Sequence, residues 1–325
     1  MKLAALAGAL TALALAAPHS QAQTWPQRSI TLIMPFPAGG PSDALARAVA
    51  AKLAGALKTS IVVENVGGAG GSIGLQRVAR SAPDGYTIGF GTIGTHAANM
   101  LLYAKPAYDA RRDFAPLGQI GSAPTVLLVK QGLPVKTFDE FAAYLKAHAG
   151  EMSYGSAGVG SISHLACLML LDDLKADVVH VPYKGVAPAM TGLMGGETDF
   201  MCDQTTTVLP QVAGGRVRAV AMLTRAPFGG LPGVVPAQAS GLTDIDFRSW
   251  NGLFAPRGTP APIVQQFNAA INEVLADPEL VRQMGEVGVE FPERQANTPE
   301  QLSQQVARAL EGLTPLLRGA HAQSH

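Results

Sequence analysis

Two stretches of the chain set glycine, serine and a helix start in the order that can trap an anion. In TLIMPFPAGGPSDALAR, residues 31 to 47, an apolar run (Ile30, Leu32, Ile33, Met34) stops at Pro35. A loop of Pro and Gly follows, and Ser42 and Asp43 open a run with helical spacing. The N–H groups of such a loop and of the first helical turn lack carbonyl partners, and the helix dipole adds partial positive charge there. The stretch has neither the lysine of a phosphate-cradling G-x-x-x-x-G-K-[ST] loop nor G-x-G-x-x-G spacing. The chemistry it suits is therefore carboxylate binding rather than nucleotide binding. A strand–glycine–helix junction also begins any ordinary α/β unit. The second such junction, YGSAGVGSISH at 154 to 164 with Ser161 as helix cap, moves the balance toward a ligand.

Other polar residues fall at strand ends, where ligands sit in open α/β sheets. Thr92 and Thr95, in the loop Gly91 to His96, are candidate hydroxyl donors. Asp203, followed by Thr205, Thr206 and Thr207, is either a selectivity acceptor for an ammonium, a hydroxyl or a protonated ring nitrogen, or a helix cap. Asp43 caps amides of its own loop. Tyr183 and Lys184 follow a strand end, where Lys184 either faces the cleft or is a solvated surface charge. The glycine-rich run 65 to 72 lacks a following Lys-Ser or Lys-Thr and reads as close backbone packing.

Metal chemistry has no H-E-x-x-H, no paired cysteines and no carboxylates at ligand spacing, so neither a metal nor a cofactor is expected. A secreted hydrolase using Ser161 and His164 is the competing reading. It lacks a G-x-S-x-G elbow, which the run Tyr154 to Gly158 misses by one position.

Stepping along the chain, residues 1 to 22 carry Lys2, an apolar run from Leu3 to Ala17 and a small-residue exit at Ser20-Gln21-Ala22. That is an export signal, too short and too rich in alanine for a good membrane span. No cysteine stands at its exit to take a lipid anchor, so the mature protein is expected free in the periplasm. Lys+Arg and Asp+Glu balance at 24 each with no basic block, which argues against nucleic acid and membrane surfaces as partners. The two cysteines, Cys167 and Cys202, either bridge or pack as small apolar side chains; spacing leaves both open.

The elements alternate. Helix 43 to 57 puts Leu45, Val49, Leu53 and Leu57 on one stripe, and strands follow at 61 to 64 and 86 to 90. Strand-like runs at 117 to 120 and 125 to 129 make a first crossing between lobes. Strands and helices then alternate from 137 to 223, and Ser249 to Ala255 crosses back before helices at 260 to 275 and 298 to 317. This predicts an α/β chain of two lobes, residues 23–123 with 250–325 and residues 124–249, whose mixed, mostly parallel sheets meet at a two-crossing hinge. The two glycine junctions would then face each other across a cleft that closes on a ligand.

An ordered set of motifs carries a resemblance over essentially the whole mature chain. It comprises PFPAGGPSD with Ala44-Leu45-Ala46-Arg47, Glu64-Asn65 with Gly68-Ala69-Gly70-Gly71, Pro83 to Thr87, and Thr95-His96-Ala97-Ala98-Asn99. It continues with Ser156-Ala157-Gly158 and Ser163-His164-Leu165, His180 to Gly185, and Trp250-x-Gly252-Leu253 to Thr259-Pro260. Together these resemble the Bug-type substrate-binding proteins of tripartite tricarboxylate transporters. The chain departs from that pattern at Glu64-Asn65-Val66-Gly67, which lacks Arg-Pro, and at the loosened segment 231 to 237. The resemblance implies a type II periplasmic binding-protein fold, a monomer that closes on a small carboxylate and hands it to membrane transporter subunits. It implies a grip made largely of backbone amides, with Phe36, Ala38, Gly39, Gly40 and Ser42 on one side. Ser156, Ala157, Gly158, Val159, Gly160 and Ser161 stand on the other. A ligand-sensing role beside a membrane sensor remains open on the same residues.

Overall fold

The computed structural model of the protein describes residues 25–242 and 245–323; the expected leader, residues 1 to 22, lies outside them. In order, the first elements are β1 (Ile30–Met34), α1 (Pro41–Ala56), β2 (Ile61–Asn65), α2 (Ser72–Ala79), β3 (Thr87–Thr92), α3 (Asn99–Leu102) and β4 (Phe114–Lys130). Next come α4 (Phe138–His148), β5 (Ser153–Ser156), α5 (Ile162–Leu174), β6 (Val179–Pro182), α6 (Val186–Gly195), β7 (Phe200–Gln204), α7 (Thr205–Ala213) and β8 (Val217–Met222). The chain ends with β9 (Arg248–Pro256), α8 (Ala261–Val274), α9 (Pro278–Gly285) and α10 (Pro299–Gln323).

The strands run in the order β2-β1-β3-β9-β4-β7-β5-β6, with β8 on the other side of β4. Pairs joined by crossover helices are parallel: β1 with β2 and β3, and β5 with β6 and β7. Pairs that involve β4 or β9 are antiparallel.

β4 is the spine. Its residues from Phe114 to Pro124 pair with β9, and those from Thr125 to Lys130 pair with β7 and β8, so one strand belongs to both lobes. The sequence suggests two short strands broken at Gly121-Ser122-Ala123-Pro124; the structure has one strand of 17 residues. Register shifts between Pro116 and Gly118 and between Gln119 and Gly121 absorb the prolines and glycines without ending the ladder.

Alternation along the pleat explains why the second half of β4 is apolar at every step. Val126 and Leu128 join one core with Met190 of α6 and Val208 of α7, whereas Leu127 and Val129 join another with Phe141 of α4 and Leu165 of α5. Each such fully buried side chain contributes roughly 1.5–3 kcal/mol. In the first lobe the α1 stripe Leu45, Val49 and Leu53 is buried in a core shared with Phe267 and Ile271 of α8. Helix α9 was not foreseen, although Asp277-Pro278 is a start signal: the Asp277 carboxylate accepts from Leu280 N at 2.9 Å with proline in the first turn. Cys167 of α5 and Cys202 of β7 form a disulfide, with Cα atoms 5.3 Å apart.

Candidate functional site

Four helices start at one cavity of about 60 Å³ between the lobes. Its lining includes Gly40, Pro41, Ser42 and Asp43 at the head of α1, and Ser161, Ile162 and Ser163 at the head of α5. Gly185, Val186, Ala187 and Pro188 come from the head of α6, and Asp203 and Gln204 stand immediately before α7. Among the described residues no Lys, Arg or His lines it. Of the four helices only α5 has a side-chain cap, Ser161 Oγ accepting from His164 N at 3.3 Å; α1, α6 and α7 have none. Three uncapped N-termini therefore present unpartnered amides and aligned dipoles to one small space without a cation. An anion held by backbone is what such a space suits.

Two wider hollows, of about 350 and 420 Å³, lie elsewhere. The first is lined by the far end of α5, with Asp172 and Lys175, and by α10; the second by α7 and β8. Neither gathers helix starts.

The loop after β1 is held by its own carboxylate. Asp43 accepts from Gly39 N at 3.1 Å, Asn65 Nδ2 at 2.8 Å and Arg47 Nε at 2.9 Å. Asn65 also donates to the Phe36 carbonyl at 2.9 Å. Burial pushes the Asp43 carboxyl upward, but the bonds from Arg47, Asn65 and Gly39 outweigh it and hold the group below its ordinary range. Asp43 thus stays ionised, with its charge answered by Arg47, and does not compete for the helix start.

The loop after β5 is held by imidazole and hydroxyl groups. Ala157 N donates to Ser163 Oγ at 2.8 Å, Gly158 N to Ser156 Oγ at 3.1 Å, and Gly160 N to His164 Nδ1 at 3.2 Å. Ser156 Oγ in turn lies 2.7 Å from His180 Nε2. His164 stacks on His180 at 4.4 Å between centroids, and His180 on Tyr154 at 4.7 Å. Burial pushes His164 down to about 3, helped by His180, and His180 down to about 4, so both rings are neutral and can accept hydrogen bonds.

This bonding sorts the residues singled out in the sequence. Phe36, Ala38, Gly40, Ser42, Ala157, Ser161 and Asp203 line the cavity. Gly39, Ser156, Gly158, Val159 and Gly160 are not part of its lining. The amides of Gly39, Ala157, Gly158 and Gly160, expected to face a ligand, are already spent on shaping the loops. Thr92 and Thr95 are a correction: both are fully buried away from the cavity. Thr92 Oγ1 accepts from Thr95 N at 3.2 Å and Thr95 Oγ1 from Thr92 N at 2.9 Å, closing a helical turn where a loop was expected. The Ser161–His164 pair is a cap, because Ser161 Oγ meets the His164 backbone, while the imidazole serves Gly160. Lys184 is exposed and lies outside the lining, and Tyr183 OH donates to Glu197 at 2.9 Å.

Sequence reasoning missed the head of α6. Tyr183-Lys184-Gly185 before Val186 repeats the strand–glycine–helix junction, and that signal was available. It also missed Gln204, whose Nε2 donates to Ser249 Oγ of β9 at 2.5 Å and so ties the cavity floor to a crossing strand.

Across the cleft the lobes meet at glycines. A Cβ on Gly185 would sit 3.2 Å from Pro37 Cγ, one on Gly40 3.3 Å from Val186 Cγ1, and one on Gly70 2.6 Å from the Val159 carbonyl oxygen. The two lobes thus touch across the cleft.

Known proteins give this geometry a family. The family described as "Tripartite tricarboxylate transporter family receptor" matches residues 45–313. A protein from the TAR-I ttuE-ttuC' intergenic region of Agrobacterium vitis is 37% identical over 302 residues, 93% of this chain and 87% of the relative. Among solved structures, MatC of Rhodopseudomonas palustris with bound malate is 36% identical, covers 90% of this chain and 100% of its own, and superposes with a TM-score of 0.86. A second R. palustris protein, with adipate, is 30% identical, covers 92% of this chain and 99% of its own, and also gives 0.86. The matched family is one of receptors rather than enzymes, and among the described residues no helix is long and apolar enough to cross a membrane. The chain belongs to the receptor family of the tripartite tricarboxylate transporters, with that family's two-lobed periplasmic binding-protein fold.

Proposed function

We propose that this protein captures a small carboxylate in the cavity between its lobes and delivers it to the membrane subunits of a tripartite tricarboxylate-type transporter. It acts as a free periplasmic monomer after loss of residues 1–22. Residues 23–123 with 250–325 form one lobe and residues 124–249 the other. β4 and β9 flex between them.

The observation that carries this reading is the convergence of three uncapped helix N-termini on a cavity without a cation. The donors are the free amides at the heads of α1, α5, α6 and α7, with the hydroxyls of Ser42 and Ser161. Phe36 and Ala38 supply walls. Gly39, Ser156, Gly158, Val159 and Gly160 shape the loops behind them. Hydrogen bonds to a charged group contribute about 1.5–3 kcal/mol each and a helix start about 0.3–1. Four to six donors reach roughly −8 kcal/mol, micromolar affinity, even after association costs of several kcal/mol. The malate and adipate found in two relatives fit this class of ligand.

A thermal-shift screen of refolded, ligand-stripped protein tests it, using small carboxylates, their amides and simple esters. One acid should raise the melting temperature in proportion to the logarithm of its concentration while its amide does not. No response to any acid, with turnover of an ester, would overturn the reading. Delivery is tested by deleting the gene and measuring uptake of the same acid; unchanged uptake would remove the transport role.

A further inference from the structure

The cavity has one ionisable wall whose charge no cationic side chain among the described residues answers. Asp203 is 3% exposed and lines the same space as the helix starts. Its carboxylate accepts from Thr207 Oγ1 at 2.5 Å and from the Gln204 backbone, and among the described residues no Lys, Arg or His pairs with it. A carboxylate has about four acceptor positions, and here two are filled.

The backbone that carries Asp203 is held in place, and Thr207 holds its carboxylate. Asp203 stands opposite Val126 in the β4–β7 ladder, between Cys202, which is bridged to Cys167, and Gln204, which is tied to Ser249. Burial without a cation pushes the carboxyl up to about 6, so near neutral pH the group is largely ionised. Asp43, the other carboxylate of the lining, differs in having Arg47 against it.

From this arrangement we infer that the ligand carries, besides its gripped carboxylate, a hydroxyl or ammonium group that donates a hydrogen bond to Asp203. The inference rests on the carboxylate reading above and adds the chemistry of the ligand's other end. An ionised second carboxylate placed at Asp203 would meet a like charge in a low-dielectric space. A purely apolar end would leave the buried carboxylate short of partners. A hydroxyl fills an empty acceptor position, and an ammonium fills it and answers the charge as well.

Matched acids that differ only at C2 separate these cases. The sets are propionate, lactate and alanine; succinate, malate and aspartate; and phenylacetate, mandelate and phenylglycine. Calorimetric titration of the ligand-stripped protein should give, in at least one set, a donor-bearing acid that binds about tenfold or more tightly than its plain parent. In Asp203→Asn, checked for folding by thermal melting, that ratio should fall below about threefold. Preference for lactate, malate or mandelate assigns a hydroxyl donor; preference for the amino acids assigns an ammonium. The wild-type comparison stands even if the variant fails to fold. Plain acids that bind as tightly as their substituted partners overturn this inference and leave carboxylate capture intact. A ratio unchanged in Asp203→Asn does the same. If no acid of any set binds, the carboxylate reading falls and takes this inference with it.

Discussion

Gly94 of the first lobe and Gly160 of the second touch backbone to backbone: the Gly160 carbonyl oxygen fills the space that a Cβ on Gly94 would need. Gly94 lies in a helical turn, so alanine suits its backbone; the opposite lobe opposes it most closely, while Thr92 Oγ1 of the same lobe would sit 3.3 Å from the new Cβ. Gly94→Ala should therefore leave the ligand-free melting temperature within about 2 °C and weaken ligand binding by about tenfold or more. Small-angle scattering with saturating ligand should show the variant more open than the parent. A variant that closes and binds normally would mean that this contact does not define the closed form.

His164 holds the second loop by accepting from Gly160 N. Phenylalanine keeps a ring in the stack with His180 but cannot accept that bond. His164→Phe should cost about 1 kcal/mol or more in stability, through the orphaned amide, and lower ligand affinity about fivefold. Denaturant unfolding and calorimetry measure the two effects separately.

Lys184 is exposed and outside the cavity, and among the described residues no Lys, Arg or His lines it. Lys184→Ala should change affinity less than about twofold, whereas Gly39→Val, at a residue with φ of 86°, should abolish binding by distorting the first loop. A loss from Lys184→Ala as large as that from the glycine change would relocate the source of positive charge.

The Cys167–Cys202 bridge closes a sequence separation of 35 between α5 and β7. The chain-entropy relation puts its contribution at roughly 3–4 kcal/mol. The double variant Cys167→Ala, Cys202→Ala should lose about that much in denaturant unfolding while ligand affinity stays within about threefold, because neither sulfur lines the cavity.

Asp203 makes stability depend on pH in a defined direction. Its carboxyl is raised from 3.8 to about 6 in the folded protein, so the folded state holds that proton more tightly than the unfolded state does. The corresponding stability is fully present below pH 3.8 and is lost as pH rises through about 6. The ionised group therefore weighs against the ligand-free protein at neutral pH, by up to about 3 kcal/mol. Asp203→Asn should melt several degrees above the parent at about pH 7.5, with the gap closing toward pH 4. Equal melting temperatures at both ends would show that another group supplies the missing positive charge.

Much of this was legible in the chain because it is local. The stripe Leu45, Val49, Leu53 is a helix signal that needs no tertiary knowledge, and the two glycine junctions sit at the ends of recognisable strands. The use of each amide was not legible. Which N–H faces the cavity depends on acceptors such as Asp43, Ser163 and His164, whose bonds form only once the loops are folded. Thr92 and Thr95 misled for a related reason: two hydroxyls at a strand end read as ligand donors, yet Thr-x-x-Thr is also the spacing of a helical cap, and the cap won. The head of α6 shows the converse, a strand–glycine–helix junction whose Gly185 is overshadowed in the sequence by the neighbouring Tyr183 and Lys184.

The strand order sets a folding order. β9 lies between β3 and β4, so the sheet of the first lobe cannot be completed until residues 248–256 are available. The second lobe has no such wait, because β5 to β8 pair only among themselves and with the latter half of β4, all within one uninterrupted run of chain. Nascent structure should therefore appear first in the middle of the sequence, with the lobe that contains the N-terminus assembling around it last. For a chain exported N-terminus first, as proposed above, that delay would keep the leading part unable to complete its sheet before it has crossed.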